Sequence, residues 1–258
     1  MLRFASQKGV DLIDTAISYG DSENCLGELG TEGFKLVTKL PAIPEDCFDV
    51  NDWVKNELKA SMARMRVTSV YGLLLHRPYQ LLDIKGSALY KSLQCLKENG
   101  IVQKIGISVY SPQELDDLMP KYPIDLVQAP FNLIDRRLYR SGWLKRLKEK
   151  GVELHTRSTF LQGLLLLKKV NIPENFSSWD KFWHKWHNWL AETELSPIQA
   201  CLAFSLSFKE IDKIVIGADN LYQLTQILNI KNSLVLNEFP NLECKDENLI
   251  NPTTWKML

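Results

Sequence analysis

Paired cysteines are missing from this chain. Its five cysteines, Cys25, Cys47, Cys95, Cys201 and Cys244, are scattered and form no Cys-x-x-Cys. That argues against a disulfide framework or a zinc site and for reduced thiols in a cytoplasmic protein. Charge of one sign is missing too. Lys plus Arg and Asp plus Glu number 31 each, so no overall field draws the chain to nucleic acid or to an anionic membrane. The apolar run LLLL at 164–167 is far too short to span a bilayer, and the opening MLRFASQKG has no apolar signal-peptide core. Neither Gly-x-Gly-x-x-Gly nor Gly-x-x-x-x-Gly-Lys-Ser/Thr occurs, which weakens the case for a doubly wound nucleotide-binding sheet. No Pro/Gly/Ser-rich linker divides the chain, so a single domain over 1–258 is expected.

What is present is an alternation of two patterns. Short β-rich runs stand at 10–14, 34–40, 70–76, 104–110, 126–131, 152–158 and 213–218. Between them lie segments with helical spacing at 49–65, 86–100, 111–120 and 136–151. Gly100 and Gly151 fall where a helix C-terminus favours glycine, and a strand follows each at once. Such alternation specifies parallel strands with right-handed crossovers. Units of this length, in a chain that is 45% hydrophobic, suit an α/β fold of the (β/α)8 TIM-barrel type. Seven of the eight strands are evident. The first residues read as the last part of a helix running into the strand at 10–14, so the missing strand would belong before Met1.

Four titratable residues share one relative position, at the C-terminal end of a strand or in the loop just after it. They are Asp14, Tyr19, Lys39 and His76. In a barrel those ends open on one face, where active sites lie. A buried carboxylate is costly unless paired, and Lys39 is the partner expected for Asp14. A tyrosine phenol ionises near pH 10 and is a poor proton donor by itself. A neighbouring ammonium favours the phenolate, and an imidazole can hydrogen-bond and orient a substrate oxygen. The set suits carbonyl reduction, with Tyr19 giving its proton to the oxygen as hydride reaches the carbon. A Schiff-base role for Lys39 would instead need an unpaired amine. Taken singly, each residue has a plainer explanation in packing or capping.

The segment GVDLIDTAISYGDSENCLGELG resembles the signature of the aldo-keto reductase family, in which Asp-Thr-Ala leads to Tyr-Gly, Ser-Glu and Leu-Gly. The similarity continues in order through LVTKL, VKNELKASMARM, LLLHRP, LKENGIVQKIGISVYSPQEL, VQAPFNLIDRR, TRSTFLQGLLL, SPIQACLAFSLSF and IVIGADNLYQL. It implies a TIM barrel that reduces an aldehyde, ketone or sugar-like carbonyl, or runs the reverse oxidation, with NADP or NAD. It also implies that Asp14, Tyr19, Lys39 and His76 form the catalytic tetrad. Ser108 and Gln128 match the residues that hold the nicotinamide carboxamide, while Val109 stands where the family has Asn. Arg157 stands in place of the aromatic residue that stacks on the nicotinamide. A guanidinium plane can also stack on a ring. The resemblance places Ser158, Phe160, Gln162 and Gly163 along the pyrophosphate loop, and Gly217, Ala218, Asp219, Asn220 and Gln223 near the adenosine end. No Lys or Arg lies in that last group to pair with a 2′-phosphate, which weighs against strict NADP dependence.

The family begins with a hairpin and a first strand that this sequence lacks, so the expected chain is an N-terminally truncated barrel. A second reading follows from that departure: a non-catalytic relative that uses the same barrel for binding or regulation. The expected partner is a small carbonyl or alcohol substrate, with neither nucleic acid nor membrane, and the oligomeric state is not legible. No metal is expected, because His184 and His187 in the tryptophan-rich stretch 177–192 have no third ligand placed beside them. That stretch reads as a helix packed on the barrel or as a wall of the substrate entrance.

Overall fold

The computed structural model describes residues 1–230 and 238–257. The chain forms two compact units, Met1–Gln128 with Lys150–Glu153, and Ala129–Glu149 with Leu154–Leu258.

The first unit alternates as the sequence pattern requires. Helix α1 (Leu2–Gln7) leads to β1 (Leu12–Asp14), then α2 (Ser22–Leu29), β2 (Lys35–Leu40), α3 (Val50–Met65), β3 (Val70–Leu75), α4 (Gly86–Glu98), β4 (Val102–Ser108), α5 (Pro112–Leu118) and the start of β5 (Leu126–Pro130). Each strand pairs in parallel with the next, from β1 through β5. Local chemistry sets the boundaries. Asp49 accepts a hydrogen bond from the Asp52 amide to cap α3, and Ser111 with Glu114 forms a capping box on α5. Gly100 turns the chain out of α4 with φ 72°, a left-handed conformation that costs glycine little.

Strand β1 is half-buried, whereas β2, β3, β5 and the second half of β4 are buried at nearly every position, on both faces of the sheet. Val37, Leu74 and Leu126 form a fully buried cluster, with Leu12 and Tyr71 packed against it. Helices α2 and α3 come close at Gly27, where an added Cβ would lie 2.1 Å from the Arg64 carbonyl oxygen. Buried Glu23, four residues earlier, accepts hydrogen bonds from Thr38 Oγ1 (2.8 Å), Ser61 Oγ (2.6 Å) and Arg64 Nε (2.8 Å). One carboxylate thereby ties α2 to β2 and α3. Toward the N-terminal ends of the strands, Tyr71 Oη donates to Glu153 Oε2 at 2.5 Å and Lys104 Nζ bonds the same oxygen. Burial first, and then the Glu153 carboxylate, push the Tyr71 phenol up from its ordinary value.

The second unit takes up the end of β5 and continues through α6 (Arg137–Arg140), α7 (Trp143–Glu149), β6 (Glu153–Arg157), α8 (Asp180–Thr193), α9 (Pro197–Leu206), β7 (Lys213–Ile214), α10 (Leu221–Leu228) and α11 (Glu247–Ile250). The Phe131 amide donates to the Arg157 carbonyl, and β6 pairs in parallel with β7 through His155–Lys213 and Thr156–Ile214. With β1 to β5, this makes seven parallel strands among the described residues.

Three expected elements differ in detail. The helix expected over 136–151 is two helices, because Gly142 sits at φ 78° and breaks the i to i−4 ladder between α6 and α7. The strand expected over 213–218 pairs only at Lys213–Ile214. The Val215 amide still reaches the Thr156 carbonyl at 2.7 Å, after which the chain leaves the sheet toward Gly217. The tryptophan-rich stretch starts as a 3-10 turn (Glu174–Trp179) before α8 begins. Trp183, Trp186 and Leu190 line one buried face of α8. Both buried indoles are satisfied, Trp183 Nε1 by the Phe176 carbonyl and Trp186 Nε1 by the Leu165 carbonyl, so this face is packing. No described helix is long and apolar enough to cross a membrane.

Candidate active site

The sheet ladder itself assembles the polar end of the first unit. Beyond β1 the chain stays on β2, with the Thr15 amide donating to the Val37 carbonyl and the Ile17 amide to the Lys39 carbonyl. It then turns, the Tyr19 amide donating to the Ala16 carbonyl and the Ser22 amide to the Tyr19 carbonyl, with Gly20 at φ 55°. The end of β3 is fixed in the same way, the His76 amide donating to the Leu40 carbonyl. Residues 62 positions apart in the most distant case, Asp14 to His76, thus leave neighbouring strands on one side.

Lys39 is the centre of the arrangement. Its side chain is 0% exposed and its ammonium donates to Asp14 Oδ1 at 2.6 Å and to the Thr15 carbonyl at 2.9 Å. The other Asp14 oxygen accepts from Gln128 Nε2 at 2.8 Å. Both ions are out of water, and each is met by hydrogen bonds as well as by its counter-charge, the condition under which a buried pair is tolerated. The same ammonium lies 5.2 Å from the Tyr19 ring centroid. Tyr19 is 47% exposed, so the phenol faces solvent above a buried cation. The His76 ring stands edge-on to Tyr19, with centroids 5.8 Å apart and planes at 77°. Ser18 Oγ is 3.2 Å from His76 Nδ1. Asp14, Tyr19, Lys39 and His76 are therefore neighbours, and Gln128 joins them through Asp14.

Gln128 and Ser108 are register partners across β4 and β5, and both are buried. Val109 is buried as well, and its amide donates to the Gln128 carbonyl, so its side chain offers no polar group there. In the second unit, Arg157 ends β6 half-buried and donates from Nη1 to Ser158 Oγ at 3.3 Å. The loop that follows is strained: Ser158, Leu161 and Gln162 have φ of 63°, 48° and 53°, and Gly163 has 85°. Such conformations persist only where surrounding contacts hold them. Here Asn132 Nδ2 donates to the Ser158 carbonyl at 2.9 Å. Phe160 lies half-buried within the loop. Gly217 and Ala218 follow β7. Asn220 caps α10 by accepting from the Gln223 amide, while the Gln223 side chain accepts from the Asp219 amide.

Sequence reasoning missed three of these residues. Ser18 reads as an ordinary loop serine. Glu23 falls inside the family signature but carries no mark of a three-donor buried carboxylate. Asn132 gains its role only once the Phe131 amide has met the Arg157 carbonyl. The link from Gln128 to Asp14, between residues 114 positions apart, had no local signal.

A seven-stranded parallel α/β arrangement with a buried Lys–Asp pair beneath an exposed tyrosine defines a class. The chain belongs to the aldo/keto reductase family of oxidoreductases, whose family model matches residues 1–244. Among curated relatives it is 26% identical over 183 residues to the aldo-keto reductase YhdN of Bacillus subtilis, covering 64% of this chain and 52% of that protein. It is 25% identical over 278 residues to the L-glyceraldehyde 3-phosphate reductase of Escherichia coli O157:H7, covering 91% of this chain and 78% of that one. The chain thus spans about half the length of the first of these relatives. Among solved structures it is similar to the holo form of the aldo-keto reductase AKR11C1 from Bacillus halodurans, with a TM-score of 0.72 at 19% identity over 93% of this chain and 80% of that one. The glycerol dehydrogenase AKR11B4 of Gluconobacter oxydans gives a TM-score of 0.69 at 19% identity, over 89% and 78%. These likenesses show the fold, the α/β barrel expected from the strand–helix alternation.

Proposed function

We propose that the protein is an NAD(P)-dependent oxidoreductase that reduces a small aldehyde, ketone or sugar-like carbonyl to an alcohol, or runs the reverse reaction. The observation that carries this reading is the Lys39–Asp14 pair, 2.6 Å long and buried, with its ammonium 5.2 Å from the ring of a solvent-facing tyrosine. A cation held at that place stabilises negative charge on the phenolate that Tyr19 becomes when it gives up its proton. Asp14 holds the ammonium in position and offsets its burial. His76, fixed by its backbone and by Tyr19, orients the substrate oxygen. Tyr19 then protonates that oxygen in reduction and takes the proton back in oxidation. The Schiff-base reading is disfavoured by the same geometry, because Lys39 is paired rather than free.

A bound nicotinamide supplies or accepts the hydride. The residues proposed to hold it fit in part. Ser108 and Gln128 are polar and stand side by side in register, although one Gln128 hydrogen already serves Asp14. Arg157 carries a cation at a strand end, suited to a phosphate or a ring face. Phe160 and Gly163 lie in a loop strained at Ser158, Leu161 and Gln162, of the kind found where backbone approaches a ligand. Gly217, Ala218, Asp219 and Gln223 offer no cation, and the exposed Asp219 carboxylate disfavours an added phosphate. NAD is therefore expected to bind at least as well as NADP.

The test is a titration of the protein with NADH and with NADPH, read by intrinsic tryptophan fluorescence, followed by turnover of aldehyde probes. Tyr19→Phe is expected to keep cofactor binding and to lower turnover by about 10²- to 10⁴-fold, the worth of a positioned general acid. Wild-type protein that binds neither nucleotide would sink the reading and leave the non-catalytic relative.

A further inference from the structure

The hydroxyl of Ser18 lies 3.2 Å from Nδ1 of His76. Both partners are held by their backbones rather than by each other. Residues 15–19 are laced to β2 through the Thr15 and Ile17 amides, and the His76 amide is bonded to the Leu40 carbonyl. Strand register thus brings Ser18 and His76 side by side. The Tyr19 ring, edge-on at 77°, fixes the imidazole plane from another side.

A neutral imidazole carries one ring N–H, and the nitrogen that carries it is decided by what the other nitrogen meets. A serine hydroxyl can serve either tautomer, since it both donates and accepts. With Nδ1 met by Ser18, the substrate oxygen falls to Nε2 under the reductase reading. A carbonyl oxygen accepts hydrogen bonds and cannot donate, so an Nε2 without its proton would face it lone pair to lone pair. We propose that Ser18 is a positioning residue: its hydroxyl donates to Nδ1 of His76 and so holds the imidazole as the Nε2–H tautomer that hydrogen-bonds the substrate oxygen. The proposal rests on the reductase reading above and assigns to that site a residue outside the four strand-end groups. Ser18 touches neither substrate nor cofactor in this role and acts through His76 alone.

The experiment has two arms. In the first, long-range ¹H–¹⁵N correlation spectra of the ¹⁵N-histidine-labelled protein near pH 8 read the tautomer of His76 without any turnover, with His76→Gln assigning the signal. Wild type is expected to show an Nε2–H ring. Ser18→Ala should move the two ring nitrogens toward averaged shifts, and Ser18→Thr, which keeps a hydroxyl, should restore the wild-type pattern. In the second arm, kcat/KM for 4-nitrobenzaldehyde is expected to fall about fivefold in Ser18→Ala, the worth of one hydrogen bond of ordinary strength, and to recover in Ser18→Thr. Cofactor affinity by tryptophan fluorescence should be the same in all three proteins. An Nδ1–H ring in wild type, or a tautomer indifferent to Ser18→Ala, overturns the proposal. A wild type with the expected tautomer and its dependence on Ser18, but with neither cofactor binding nor turnover, overturns the reductase reading instead and leaves the tautomer assignment standing.

Discussion

A lysine with no exposed side-chain surface is costly unless its charge is met, and Lys39 is met by Asp14 and by the Thr15 carbonyl. The asymmetry of such pairs makes them testable. Asp14→Ala leaves the ammonium buried with only neutral partners among these, and it is expected to cost about 3–5 kcal/mol, read as a lower urea midpoint at unchanged slope. Asp14→Asn keeps the volume and an acceptor and should cost less. Activity should fall in both variants, because the ammonium beneath Tyr19 loses the charge that holds it. The four strand-end residues were legible in the sequence because each follows an apolar run, which marks where its strand ends. The distances among them were not, since they depend on register between strands whose end residues are up to 62 positions apart in the chain. Ser18 shows the limit most plainly: it sits beside Tyr19 in sequence, yet its partner is 58 residues away.

At the scale of elements, helices and their stops were read well where local chemistry decides them. Asp49, Ser111 and Gly100 cap or end their helices as their types require, whereas α9, capped by Ser196, was not among the expected helices. Errors came where a boundary depends on what lies beside the segment. The break at Gly142 interrupts a continuous helical pattern, and β7 is short because pairing stops after Thr156. The contact between α2 and α3 also belongs to this scale. Gly27 admits no side chain, because a Cβ would meet the Arg64 carbonyl oxygen at 2.1 Å and backbone cannot move aside cheaply. Gly27→Ala is expected to destabilise by about 1–3 kcal/mol, measured by denaturant unfolding, even though alanine is the better helix former. A neutral or stabilised variant would show that α2 can shift away from α3. The same shift would disturb Glu23 and its three donors, so the loss should be accompanied by a steeper sensitivity to Ser61→Ala.

For the molecule as a whole, the balance of charge leaves alkaline behaviour to particular groups that are buried or partly buried. Burial, and then Glu153, raise the Tyr71 phenol, and burial raises that of Tyr90. Burial pulls the Lys104 ammonium down, but Glu153 and Tyr71 more than reverse this, so its value is also raised. A group whose value is higher in the folded state binds its proton more tightly there. Its stabilisation is complete below its unfolded value, near 10.0 for the phenols and 10.5 for the lysine, and is lost as pH rises through the folded one. Stability should accordingly fall as pH rises above about 10, and Tyr71→Phe should flatten that fall. Guanidinium unfolding at pH 8 and at pH 11 checks it: equal midpoints for wild type would refute the assignment.

Composition and periodicity alone determined that this chain alternates strands with helices, that the strands are parallel, and that Asp14, Tyr19, Lys39 and His76 stand at strand ends. Those are local properties, carried by side-chain size and polarity within a few residues. The pairing of Lys39 with Asp14 was expected from the sequence; tertiary structure alone decided that the lysine is wholly buried, that Gln128 takes the second carboxylate oxygen, and that Ser18 lies beside His76. The first two follow from the register of parallel strands, in which a shift of one residue turns every side chain to the opposite face, and the third from the backbone bonds that hold both loops at the strand ends. Register is settled by packing across the sheet, which no stretch of sequence contains by itself.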